Sequence, residues 1–145
     1  MPNVNKSALV NYSSHEMYQL VSNINDYQNF LPWCGGSKII REEDDFVEAT
    51  VEISHGSLKK SFTTHNTNTP DEKIVMTLVD GPFKSLDGVW SFQSLGESGC
   101  KVTLDLNFEF SSRIVAMAIG KIFNTIAGSQ VDSFAKRAVE VYGKR

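Results

Sequence analysis

The hydrophobic period of this chain changes along its length, and that change constrains the fold more than any other feature. From Lys38 to Phe110 apolar and polar residues alternate, with the ~2-residue period of strands lying on a core. After Ser112 the spacing becomes helical, at ~3.6 residues per turn. Val115, Ile119, Ile122, Ile126, Phe134, Ala138 and Val141 then fall near one face as far as about Tyr142. A helix of roughly 28 residues is about 42 Å long. Strands in a run joined by short turns make an antiparallel meander, and its apolar face must be covered. The last helix is the only long one available. The expectation is an α+β fold: a curved antiparallel sheet of about six to seven strands wrapped around a long C-terminal helix, with two short helices after the first strand.

Local signals fill in this outline. Val4 to Val10 reads as a strand. Ser13-Ser14-His15-Glu16 matches a capping box, with Ser13 as N-cap and Glu16 at N3. Met17, Leu20, Val21 and Ile24 supply the stripe of the helix it opens. Asn23 to Asp26 breaks that helix, Tyr27 to Leu31 forms a second, and Pro32 ends it. Val47, Ala49, Val51 and Ile53 alternate with polar residues, and His55-Gly56-Ser57 turns the chain. Lys60 to Thr69 is a Thr-rich strand. Ile74 to Val79 is apolar on both faces, which predicts a central strand. Asp80-Gly81-Pro82 is the next turn. Leu86, Gly88, Trp90 and Phe92 share a face, and so do Val102, Leu104, Leu106, Phe108 and Phe110. Ser111 or Ser112 is the predicted N-cap of the long helix.

Length and charge narrow the class. The chain has 145 residues, one domain's worth, so residues 1–145 are read as a single domain. With 41 % hydrophobic and 21 % charged residues it can bury a core, which argues against disorder. A net charge of −3 excludes a generally basic nucleic-acid binder, and no DNA partner is expected. No uninterrupted apolar run approaches the ~18 residues that span a bilayer, and the start lacks a signal-peptide pattern. Cytoplasmic residence is expected, with the inner-membrane surface as a peripheral option. Cys34 and Cys100 form no paired motif and are read as reduced thiols.

The inward positions are rich in rings: Phe62, Trp90, Phe92, Phe108, Phe110, Phe123 and Phe134. Small residues accompany them, with Gly120 and Gly128 inside the long helix and Gly88 inside a strand. In one reading the rings form walls and the small residues leave space for an apolar ligand. In the other the glycines let helix and sheet approach and the rings fill the core. Taken alone these residues favour the second.

Catalytic signals are weak. His15, His55 and His65 are not at metal-ligand spacing, and there is no HExxH, GxSxG or phosphate loop. Neither a metal nor a covalently bound cofactor is expected. Cys34 would need a histidine base brought near by the fold. No pair of cavity carboxylates is identifiable, so the chain is read as non-enzymatic. Charge is uneven, however. Residues 42–52 carry Glu42, Glu43, Asp44, Asp45, Glu48 and Glu52 and no base. Residues 113–145 carry Arg113, Lys121, Lys136, Arg137, Lys144 and Arg145 against Asp132 and Glu140. That basic tail is either a solvated face complementing the helix dipole or a docking element for an anionic partner.

Longer blocks carry a resemblance. ALVNYSSHEMYQLVSNINDYQNFLPWC, SFTTHNTNT with LVDGPFKSLDGVWSF, and LDLNFEFSS followed by IGKIFNTIAGSQVDSFAKRAVEVYG resemble the START-like polyketide cyclase/dehydrase and lipid-transport superfamily. Tyr27 to Cys34, Asp80 to Phe83 and Phe134 to Gly143 are the specific parts. Within it the chain is similar to the branch holding the mitochondrial coenzyme Q-binding proteins and the bacterial ribosome association toxins. The resemblance implies a helix-grip fold and two non-enzymatic functions. The first is binding of ubiquinone between sheet and helix, in support of respiration. The alternative is binding to the large ribosomal subunit so that subunits fail to associate and translation initiation stops. For the first, the cavity is expected to be lined by Tyr27, Trp33, Phe62, Thr64, Met76, Phe83, Trp90, Phe92, Leu106, Phe108, Ile119, Phe123 and Ile126. Trp90 N–H, Thr64 O–H or Tyr27 O–H would meet the quinone carbonyls, and the long tail would stay partly outside. For the second, Lys136, Arg137, Lys144 and Arg145 are the contacts to test. Salt discriminates, because phosphate contacts weaken steeply as it rises.

Overall fold

Ser13 does what its sequence context predicts. Its hydroxyl accepts from Glu16 N–H at 3.1 Å, and Glu16 Oε1 accepts from Ser13 N–H at 2.9 Å. This box launches the first helix of a computed structural model that describes residues 3–144. The chain runs β1 (Asn3–Val10), α1 (Ser14–Ser22), a single 3-10 turn (Ile24–Asp26) and α2 (Tyr27–Phe30). It then forms β2 (Cys34–Glu42), β3 (Phe46–His55), β4 (Leu58–Thr69), β5 (Lys73–Asp80), β6 (Phe83–Ser94), β7 (Cys100–Phe110) and α3 (Arg113–Tyr142). Ser112 caps α3, its Oγ accepting from Val115 N–H at 3.1 Å.

All seven strands form one antiparallel sheet in the order β1-β7-β6-β5-β4-β3-β2. Every connection from β2 to β7 joins neighbours, and β1 returns beside β7. The fold is thus the curved sheet and closing helix that the period change implies. β5 is the middle strand, as expected, but its two apolar faces are not both covered. Ile74 is 2 % exposed, whereas Val79 on the other side is 52 % exposed. β2 begins at Cys34, four residues before the alternation becomes visible. A register shift between Cys34 and Gly36, together with two glycines that contribute no side chain, hides the period there.

The core lies between sheet and helix. Met17 and Val21 from α1, Cys100, Val102 and Phe108 from β7, and Phe134 and Ala138 from α3 are all at most 2 % exposed. Full burial of each larger apolar chain contributes roughly 1.5–3 kcal/mol. Aromatic edges knit this layer. Phe134 takes Tyr27, Phe30 and Trp90 at ring centroids of 5.3, 5.4 and 5.4 Å. By composition α3 is long and apolar enough to cross a bilayer. Here its Phe123, Ile126, Ala127, Val131 and Phe134 are buried against the sheet, so it serves as the core helix.

The glycines divide by role. At Gly81, in the β5–β6 turn, φ is 153°, and a Cβ would lie 2.7 Å from Phe62 Cβ; only glycine fits this approach. At Gly120 the Phe110 ring comes within 3.5 Å of a Cβ position. Above Gly88 lie Leu106 Cδ1 and Met76 Cε, 2.7 and 3.1 Å from a Cβ position. Two neighbours therefore lean over Gly88.

Candidate functional site

The sheet's inner face is organised in cross-strand rows. One runs Val47, Asn66, Met76, Gly88 and Leu106; the next runs Asn68, Ile74, Trp90 and Leu104. α3 crosses above them. Over β3, β4 and β5 it does not meet the sheet completely, and a cavity of about 100 Å³ remains. Its floor includes Thr64, Asn66, Met76, Trp90 and Leu106, its roof Phe123, Ile126, Ala127 and Gln130, and its side Ile24, Tyr27 and Trp33. Two alanines, Ala49 and Ala127, line it from sheet and helix and leave room between them.

This places most of the expected lining. Tyr27, Trp33, Phe62, Thr64, Met76, Trp90, Leu106, Phe123 and Ile126 do border the cavity. Phe83, Phe92, Phe108 and Ile119 do not, which corrects the expectation for those four. Phe83 stacks on Phe110 at 5.3 Å and meets Phe123 at 4.9 Å. Phe92 packs on Tyr18, and Phe108 and Ile119 are 0 % and 1 % exposed. Each faces inward, Phe83 through the register shift between Phe83 and Ser85, but into the filled part of the core. The sequence reading missed Asn66 and Gln130, because polar residues in a Thr-rich strand and a polar-sided helix carry no apolar pattern. The inward parity of Asn66 with Phe62 and Thr64 is the signal that would have found it.

Polar groups at the cavity are few. Asn66 is 5 % exposed, and its side-chain oxygen has no hydrogen-bond partner. The buried Trp33 Nε1–H also lacks one. Unpaired buried groups of this kind cost about 1–3 kcal/mol each. Tyr27 is the opposite case. Its hydroxyl already donates to Val21 C=O, so as a donor to a ligand it is spent. Burial pushes the Tyr27 phenol well above its ordinary pKa. Gln130 Nε2 donates to Ile126 C=O at 3.2 Å.

Size limits the guest. A liquid water occupies about 30 Å³, and an apolar cavity of ~150 Å³ accepts benzene. A space of about 100 Å³ takes a small ring only with side-chain movement, and it encloses no polyisoprenoid tail.

The basic residues separate as well. Lys136 and Lys144 are exposed. Arg137 is not a free cation: its Nη2 donates to Asp26 Oδ2 at 3.1 Å, Nη1 lies 3.6 Å from Glu140, and the guanidinium sits 4.8 Å over the Phe30 ring. It ties α3 to α2, which corrects its reading as an anion contact. Arg145 lies outside the described residues. Cys34 makes a poor nucleophile, because burial raises its thiol pKa and its Sγ donates to Gly36 C=O at 3.3 Å. His15 pairs with Asp71 and His65 with Glu48.

The family described as "Polyketide cyclase / dehydrase and lipid transport" matches residues 10–135. The chain belongs to that family. It is 45 % identical over 144 residues to "Ribosome association toxin RatA" of Vibrio cholerae, covering 99 % of this chain and 100 % of that protein. It is 26 % identical to "Coenzyme Q-binding protein COQ10 homolog B, mitochondrial" of Xenopus laevis, covering 97 % of this chain and 59 % of that one. Among solved structures, the Zhui aromatase/cyclase from Streptomyces sp. R1128 superposes with a TM-score of 0.83 at 12 % identity over 99 % of both chains. That likeness speaks for the START-like fold alone.

Proposed function

We propose that the chain associates with the large ribosomal subunit and blocks its joining to the small one, without catalysing a reaction. The observation that carries this reading is the end-to-end match at 45 % identity to a ribosome association toxin, against 26 % to the coenzyme Q-binding relative. This reverses the order in which the residues alone ranked the two functions. Lys136 and Lys144 support it, because both are exposed, Lys136 on α3, where Arg137 holds the helix in place, and Lys144 just beyond its end. Phosphate contacts made by such cations release counterions on binding. The test is binding to purified large subunits across a salt series. Steep loss of affinity with salt, and a shallower slope for Lys136→Glu with Lys144→Glu, is the expected result. A salt-independent affinity, or none, would contradict it.

A second reading rests on the cavity. Its apolar walls and the two unpaired polar atoms of Trp33 and Asn66 favour a small ring bearing oxygen, such as the head of ubiquinone, with the tail outside. A Trp N–H donates only, so it suits a ring carbonyl or hydroxyl oxygen. Purification followed by mass spectrometry of co-extracted lipid tests this. A quinone recovered with the wild type and lost from Ala127→Phe is expected. Equal recovery from both would place the lipid elsewhere.

A further inference from the structure

We propose that the N-terminal tip of α3 docks on an anionic lipid surface. Two aliphatic side chains there have nothing over them: Ile114 and Met117, one turn apart, are 80 % and 83 % exposed. Ala118 beside them is exposed too. Only 28 % of the most apolar stretch of α3 is buried, so this outward face is apolar beyond what the core uses. The other end of α3 is fixed to α1 and to α2, which keeps the helix on the sheet and leaves the tip as the part that can enter an interface.

Cations share this end of the fold with the tip. The β3–β4 hairpin, the β5–β6 turn and the β7–α3 turn all lie at this end of the sheet. Gly81 abuts Phe62, and Ser111 N–H donates to Pro82 C=O at 3.1 Å. This places the exposed Lys59, Lys60, Lys84, Arg113 and Lys121 at the same end of the fold as Ile114 and Met117. Asp80, Glu109 and the half-buried Glu52 are outnumbered. The opposite end, built from the other three turns, carries Asp44, Asp45, Asp71, Glu72 and Glu97 together with Arg41, Lys73, Lys101 and Lys144. The tip is therefore locally basic, and an anionic bilayer attracts that end.

The pairing of chemistries selects the occupant. Apolar side chains framed by Lys and Arg match the headgroup and acyl boundary of an anionic membrane. RNA rewards the cations but gives Ile114 and Met117 no apolar phase to enter. A second copy meeting tip to tip would oppose like charges. Phe62 and Phe123, which border the cavity, lie beneath the tip, so docking brings the aromatic end of the cavity to the membrane.

The proposal depends on neither ribosome binding nor a cavity ligand, and its test uses neither. The full chain is sedimented with phosphatidylcholine vesicles containing about 30 mol % phosphatidylglycerol, and with phosphatidylcholine alone. Binding to the anionic vesicles is expected, with at least about tenfold less to the neutral ones. Ile114→Asn with Met117→Gln should weaken it by about tenfold or more while leaving the melting temperature unchanged, because both side chains are exposed. Lys59→Glu with Lys60→Glu should weaken it as well. No vesicle binding, or binding untouched by the tip variant, overturns the proposal. So does a tip variant that loses large-subunit binding when the wild type shows no vesicle binding, since the face would then belong to the ribosome.

Discussion

The two halves of α3 do different work. The C-terminal half is clamped. Phe134 and Ala138 are 0 % exposed, and Arg137 holds Asp26. Tyr142 O–H donates to Glu16 C=O at 3.0 Å, and Tyr12 O–H donates to Gly143 C=O at 2.6 Å. The N-terminal half has no such ties to other elements among the described hydrogen bonds and ion pairs. Below it lies the cavity, and beyond it project Ile114 and Met117. The difference teaches that the helix is an anchor at one end and a working surface at the other. Its clamped end fixes Lys136 in space, while its other end roofs the hollow.

Truncation should expose this contrast most strongly. Phe134→Ala is expected to cost about 3–5 kcal/mol in urea denaturation, since three rings lose their partner. Ile126→Ala, on the roof of an existing space, should cost about 2 kcal/mol, the low end for such a change. Equal costs would mean that the two halves pack alike. Gly88→Ala comes next. A methyl there must displace Leu106 and Met76 toward the cavity, at about 1–3 kcal/mol, with loss of any co-purifying lipid. An unchanged lipid load would show that the floor is not part of the site.

Arg137→Ala should cost about 1–2 kcal/mol, a value reduced for its partial exposure. Its sharper reading is hydrogen exchange: the last turns of α3 should open toward the rate of the first. The smallest effect is alkaline. Burial raises the thiols of Cys34 and Cys100 from their ordinary value of 9.0, and raises the Tyr27 phenol. Folding then keeps protons that the unfolded chain releases. Stability should be complete below about pH 9 and fall as pH rises through the raised values. Stability that rises over that range would contradict the burial of these groups.

Much of this architecture was legible in the sequence because it rests on period and local chemistry. Alternation located β3 to β7, and the Ser13–Glu16 box located α1. What the sequence hid was distance across the sheet. Phe92 shares the parity of Trp90, and a register shift turns Phe83 inward as well, yet of the three only Trp90 reaches the cavity, because α3 bears on the sheet unevenly along its length. Arg137 reads as one more cation in a basic tail. Its partner Asp26 lies far away in sequence, so only the folded chain reveals the pair. The unpaired oxygen of Asn66 was equally invisible, since satisfaction is a property of neighbours and not of composition.

The central claim is tested most directly by subunit association itself. Purified large and small ribosomal subunits are mixed under associating conditions with increasing amounts of the full chain and resolved by sedimentation. The account predicts that joined ribosomes diminish in proportion to added protein, which travels with the large subunit, and that Lys136→Glu with Lys144→Glu blunts both effects. Undiminished joining, with the protein left at the top of the gradient, would contradict it.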